Sequence, residues 1–94
     1  MHLQAVAATR PRPQIPAMPT GGQIRMARAL LRLTTAQLAR LSGVAPSTIA
    51  RCERVDGLPP VSIRTLEKIK TALEAAGVEF IAGNNGPGIR LRRR

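Results

Sequence analysis

The chain has very few of the residues from which metal sites, disulfides and most catalytic centres are built. Among 94 residues there is one cysteine, one histidine and one aromatic residue, with no tryptophan or tyrosine. A lone Cys52 excludes an internal disulfide, and with His2 as the only histidine it leaves no set of zinc ligands. The acidic residues number five and are scattered, so no nucleophile is paired with a base. We therefore expect neither an enzyme nor a cofactor.

Long apolar runs and negative charge are scarce as well. No apolar stretch approaches the ~20 residues that span a bilayer, and residues 1–8 lack the pattern of a secretory signal. We therefore expect a cytoplasmic protein that does not enter a membrane. Fifteen lysines and arginines give a net charge of +10, which attracts a polyanion. Nucleic acid is the favoured partner, because the arginines are spread over several short helices rather than along one face of a membrane-surface helix.

The organisation along the chain indicates one small domain between two tails. Residues 1–19 contain four prolines and no helical or strand period. We interpret them as a disordered arm, and Arg10 and Arg12 either have no role there or reach a DNA groove. Residues 20–76 carry helical patterns with an aliphatic core, and residues 77–94 form a β element and a basic tail.

Four helices are predicted within residues 20–76. A Thr-x-x-Gln capping box at Thr20 begins the first, at about 21–31, and Thr34 caps the second, at 35–41. The third begins with Pro46 and covers 46–54, and Ser62 caps the fourth. The apolar positions expected to point inward include Leu30, Leu31, Leu38, Leu41, Ile63, Leu66, Ile69, Ala72, Leu73 and Ala76. Arg25, Arg28 and Arg32 form a basic stripe on the first helix, either solvated or in contact with a nucleic-acid backbone.

Gly43 is expected to end the second helix in a left-handed conformation, so that the third crosses it after a tight turn. Ala39 is small enough for that close crossing. On the third helix, Ile49 and Cys52 lie on one face, and the opposite face is short, polar and positive, with Ser47, Ala50, Arg51 and Arg54.

The stretch from Leu33 to Arg54 resembles the helix-turn-helix family of Cro and lambda-repressor-like bacterial regulators, through the spacing of Ala39, Gly43, Ile49 and Glu53. The resemblance extends over roughly residues 20–76 and implies an all-α fold, a four- to five-helix DNA-binding bundle, here with a short C-terminal β-hairpin or strand pair. It also implies that the third helix lies in the major groove of double-stranded DNA.

Carried over by position, the resemblance implies base contacts from Pro46, Ser47, Thr48 and Arg51. It implies phosphate contacts from Thr35, Gln37, Arg28, Arg40 and Arg54. Simpler roles stay open, since Ser47 and Thr48 can serve the first helical turn, and Arg28 and Arg40 can be ordinary solvated residues. Glu53 is expected to pair with a neighbour or close the helix end, and Cys52 to be a small buried apolar residue.

Two positions depart from the family pattern. Ala45 replaces the usual Ser or Thr before the third helix, and Pro46 stands where a hydrogen-bonding side chain often reads a base. We therefore expect fewer direct base contacts, and a specificity that is lower or based on DNA shape.

The C-terminal segments 78–81 and 89–92 flank a Gly/Asn cluster and predict a β-hairpin or two edge strands. Because a lone hairpin is marginal in water, it should pair with a second subunit or lie on the helices. We expect a homodimer, with a dimer or partner role for Val78, Phe80, Ile81, Ile89 and Leu91. Alternatively, Arg90 and Arg92–Arg94 grip phosphate.

The sequence therefore predicts a nucleoid-associated transcriptional regulator, most simply a repressor. Two alternatives remain. The chain could be an antitoxin that binds both DNA and a toxin, or a protein-interaction module that no longer binds DNA.

Overall fold

The computed structural model describes residues 18–81 and 86–92. The predicted arm lies almost wholly outside these residues, as do the hairpin connection at 82–85 and the last two arginines. The described chain has four helices and two strands. They are α1 (Gly21–Leu30), α2 (Thr35–Ser42), α3 (Pro46–Glu53), α4 (Ile63–Ala75), β1 (Val78–Ile81) and β2 (Gly88–Leu91). The predicted fold class, a helical bundle with a C-terminal hairpin, is confirmed.

Two identical capping boxes begin the first two helices. The Thr20 hydroxyl accepts a hydrogen bond from the Gln23 amide at 3.0 Å, and the Gln23 side chain accepts one from the Thr20 amide at 2.9 Å. Thr34 and Gln37 repeat this arrangement at 3.0 and 2.8 Å. Each box satisfies backbone donors that the first helical turn leaves unpaired. The Gln37 box has the same sequence signature as the first, although the family resemblance implied only a phosphate contact for Gln37.

Both helices end in left-handed residues. Gly43 follows α2 with φ of 76°, and its amide donates to the Ala39 carbonyl at 2.9 Å. After α1 the left-handed residue is Arg32, with φ of 58°. The amides of Arg32 and Leu33 donate to the carbonyls of Ala29 and Arg28, which is the pairing of a Schellman motif. The expected break at Gly43 is therefore present, and α3 starts three residues later.

The core is aliphatic, as its composition predicted. Three of the expected inward leucines and isoleucines are wrong, because Leu30 is 46%, Leu41 57% and Ile63 62% exposed. All three lie at the margin of an apolar stripe that is narrower than the sequence pattern indicated, and Ala76 is exposed for the same reason. The buried hydrophobic residues are Ile24, Ala27, Leu38, Val44, Ile49, Cys52, Leu66, Ile69, Ala72, Leu73 and Val78.

The C-terminal hairpin lies on the helices of its own chain. Its strands are antiparallel, with Val78 opposite Leu91 and Phe80 opposite Ile89. β1 packs on α4 and β2 packs on α1. Val78 is completely buried in the core. Its side chain therefore belongs to the core, and the expected partner role of Val78, through edge pairing of its strand, stays a prediction.

Gln23 fastens the hairpin to α1. Its side-chain amide donates to the carbonyls of Ile81 at 3.2 Å and Gly88 at 2.8 Å, the paired residues nearest the connection between the strands. Gln23 is 4% exposed, so these bonds satisfy backbone groups away from water. One buried glutamine thus caps α1 and anchors residues about sixty positions further along the chain. Only the first of these roles was predictable from the capping-box signature.

Candidate nucleic-acid interface

Helix α3 presents one face to the core and the opposite face to solvent. Ile49 and Cys52 are completely buried, and Pro46, Ser47 and Arg51 are exposed, while Thr48 is half-buried at the border. Ala50 and Arg54 lie on the same outward side. The structure therefore brings together the residues that the sequence placed on a common outward face. That face is narrow, and its side chains are short except for the arginines.

The start of α3 has no side-chain cap. Ala45 occupies the capping position, and its carbonyl accepts from the amides of Thr48 at 3.0 Å and Ile49 at 3.1 Å. Pro46 at the first helical position needs no amide partner. Because no side chain closes this end, the hydroxyls of Ser47 and Thr48 are not committed to capping the helix.

The far end of α3 is held by an arginine from α1. The Arg28 guanidinium donates to both carboxylate oxygens of Glu53, at 2.8 and 2.9 Å, and also to the Leu33 carbonyl at 3.0 Å. The Arg28 and Glu53 side chains are only 25% and 10% exposed, and the hydrogen bonding to Glu53 raises the pKa of Arg28. This bidentate ion pair is geometrically specific. Three of the five N–H groups of the Arg28 guanidinium are therefore engaged inside the protein, which favours an internal ion pair over the phosphate contact that the resemblance implies. Glu53 has the pairing role expected for it.

Further contacts join α1 to the end of α3 and to the segment that follows it. Arg25 donates to the Glu53 carbonyl and to the Asp56 carboxylate, the latter at 2.8 Å. The Gly21 amide donates to the Gly57 carbonyl at 2.8 Å. A Cβ atom at Gly21 would collide with the carbonyl oxygens of Cys52 and Val55, so only glycine permits this approach. We call the contacts of Gly21 and Arg25 with Glu53, Asp56 and Gly57 the α1 clasp. These contacts fix the axis of α3 relative to the bundle.

The ion pairs leave the outward arginines free of acidic partners. The ion pairs involve four of the five acidic residues in the chain, namely Glu53, Asp56, Glu74 and Glu79. In the part of the chain that the structure describes, the ion pairs involve none of Arg40, Arg51 and Arg54. All three are exposed. Three positive charges that are not neutralised by an ion pair thus lie on α2, on α3 and directly after α3.

The start of α2 offers hydrogen-bond donors. Thr35 is half-buried and Gln37 is exposed. The side-chain oxygen of Gln37 is used by the capping box, which leaves its amide nitrogen as the group able to donate outward. Thr35 and Ala36 follow the cap directly, where backbone amides have no partner within a helix. These donors suit an anion.

Cys52 behaves as a buried apolar residue. It is completely inaccessible and lies in the core cluster. Burial raises the pKa of the Cys52 thiol, while the charge of Arg51 acts in the opposite direction. A thiol of this kind is a poor nucleophile at neutral pH. The expectation of a small buried residue is confirmed.

The remaining predicted partner residues lie on the hairpin. Phe80, Ile81 and Ile89 are half-buried, and Leu91 is 51% exposed. Arg90 donates to Glu79 across the strands at 3.0 Å, so its guanidinium is already engaged.

The comparisons with known proteins agree with this architecture. The sequence model described as "Helix-turn-helix domain" matches residues 20–80, which includes all four helices and most of β1. No curated protein matches the chain. No described helix is long and apolar enough to cross a membrane. By the extent of the match, the chain belongs to the helix-turn-helix domain family.

Proposed function

We propose that this protein is a sequence-specific regulator of transcription that binds double-stranded DNA as a homodimer, acts as a repressor and has no enzymatic activity. Helix-turn-helix domains bind DNA by placing a short helix in the major groove. The observation that carries the proposal is the outward face of α3, which combines exposed short side chains with Arg51, while Ile49 and Cys52 anchor the other face in the core.

Arg51 is the proposed base-reading residue. Its side chain is exposed and has no acidic partner among the described residues. A guanidinium can donate two parallel hydrogen bonds to O6 and N7 of guanine, worth about 1–3 kcal/mol of discrimination. Ser47 lies on the same face one turn earlier, and Thr48 at its border, where their uncommitted hydroxyls can donate to or accept from a base.

Thr35, Gln37, Arg40 and Arg54 are the proposed backbone contacts. The first two offer donors at the start of α2, and the two arginines supply charge near α3. Phosphate contacts set the register of the protein on the duplex without reading its sequence. The α1 clasp supports this arrangement, because a base-reading helix must keep its angle to the groove.

A homodimer follows from the small size of the reading surface. One α3 can contact only a few base pairs, and a two-fold pair reads two half-sites about 34 Å apart. The proposed contact is the hairpin, through the parts of Phe80, Ile81, Ile89 and Leu91 that the helices leave uncovered. Of these, Leu91 is the most exposed.

The experiment that tests the proposal selects bound duplexes from a random pool and then compares Arg51→Ala with Lys68→Ala. Each change removes one exposed positive charge, but Lys68 lies on α4. We expect Arg51→Ala to lose preference at one base pair and Lys68→Ala to keep the full preference. Arg40→Ala should weaken binding to all sequences alike. It should also lower the slope of log affinity against log salt concentration by about one.

Two results would contradict the proposal. If no duplex is enriched at low salt, the protein is not a DNA-binding regulator. If Arg51→Ala weakens binding to every duplex equally, Arg51 contacts phosphate, and α3 does not read the bases as proposed.

A further inference from the structure

The outward face of α3 has an apolar flank and a cationic flank. Successive helical residues are rotated by about 100°, so Pro46 and Ala50 lie within about 40° of each other, and Arg51 lies about 100° beyond Ala50. All three are exposed. Ser47 falls between the two flanks. The helix therefore offers two kinds of surface to a ligand that lies along it.

The apolar flank continues beyond the start of the helix. Ala45 is exposed, and together with Pro46 it borders a shallow hollow between α2 and α3. Alanine, valine and glycine form most of the rest of that hollow, and among its lining residues only Arg40 is charged. Neither Ala45 nor Pro46 has a polar side-chain atom, and Pro46 also lacks a backbone N–H. This flank of α3 has little with which to hydrogen-bond the edge of a base.

An apolar surface in the major groove matches one group on the bases, the 5-methyl group of a pyrimidine. Thymine carries this methyl group beside its O4 acceptor, and side chains as small as alanine contact it. The same methyl group is present in 5-methylcytosine. Recognition that rests only on DNA shape would not depend on this group.

We propose that Pro46 and Ala50 contact the 5-methyl group of a pyrimidine while Arg51 binds a nearby guanine. This inference rests on the function proposed above and specifies its ligand. From residue 46 to residue 51 the helix rises about 7.5 Å, which corresponds to about two base-pair steps. The recognised half-site therefore combines a methylated pyrimidine and a guanine within about two or three base pairs.

The test uses the duplex obtained by selection, with each thymine replaced in turn by deoxyuridine. This change removes only the methyl group. We expect one or two positions per half-site, close to the guanine that responds to Arg51→Ala, to lose about fourfold in affinity, the effect of one buried methyl group. Replacing such a thymine by cytosine and then by 5-methylcytosine separates the two sources of the methyl group. A gain with 5-methylcytosine means that the methyl group itself is read, and no gain assigns the contact to thymine.

Protein variants locate the contact. In Pro46→Ser and Ala50→Ser the difference between thymine and deoxyuridine should fall below about twofold, and in Ala29→Ser it should stay at about fourfold. Ala29 is an exposed alanine of α1, so it controls for the chemical change. The inference is overturned if no thymine responds, or if a response persists unchanged in both α3 variants, although the duplex is still bound. Failure to select any duplex would overturn the proposed function as well, and the two failures are therefore distinguishable.

Discussion

Replacement of Gly43 by alanine tests the turn on which the placement of α3 depends. A turn and a continuous helix at this residue predict changes of opposite sign in the free energy of unfolding. Gly43 has φ of 76°, and a Cβ atom there would meet nothing within 4 Å. The cost of Gly43→Ala is therefore purely conformational. A left-handed alanine costs about 1–2 kcal/mol, and the more restricted unfolded chain returns about 0.4–1 kcal/mol. We expect the free energy of unfolding to fall by about 1 kcal/mol.

Thermal unfolding at one fixed protein concentration measures this change, since association would shift the midpoint. For a domain of this size we expect Tm to fall by about 4–8 °C. Gly43→Asn is the matched control and should lose less, because asparagine tolerates the left-handed region. If α2 continued through residue 43, alanine would instead stabilise the protein by about 0.5–1 kcal/mol. A neutral or raised Tm for Gly43→Ala would refute the turn.

Three further changes address the rest of the structure. Gly21→Ala should lower the free energy of unfolding by about 1–3 kcal/mol, because the added methyl group must push α1 away from the end of α3. A urea titration measures this loss, and Gly22→Ala, where a methyl group has more room, should lose less. Gln23→Ala should cost about 1–3 kcal/mol and raise amide exchange in both strands, since it leaves two hairpin carbonyls unpaired; unchanged exchange there would contradict the anchoring role. Cys52 should react with a thiol reagent at pH 7 only after denaturation, and rapid labelling of the folded protein would contradict its burial.

Local chemistry made the helices predictable. Thr20, Thr34 and Ser62 are caps that act within three residues, and Gly43 needs only its own backbone conformation. Such features depend on neighbours in the sequence, so they can be read without knowing the fold. The buried and exposed sides of α3 followed in the same way from helical spacing.

Contacts between distant residues could not be predicted in this way. Arg28 lay on an apparent basic stripe and was assigned to phosphate, but its partner Glu53 is 25 residues away and is met only when α1 packs across the end of α3. The side-chain amide of Gln23 binds the hairpin for the same kind of reason. The width of the buried stripe was also misjudged at Leu41 and Ile63, since it depends on how neighbouring helices cross.

The most direct test of the account is a map of the backbone amide NMR shifts as a selected duplex is added. We predict that the largest changes occur along α3, at Ser47, Ala50 and Arg51, with smaller ones at the start of α2. The middle of α4 should change little, because Glu67 and Lys68 border a hollow beside the end of α2 and are not part of the outward face of α3. Changes confined to α4 or to the hairpin, with α3 unaffected, would contradict the claim that α3 is the surface that reads DNA.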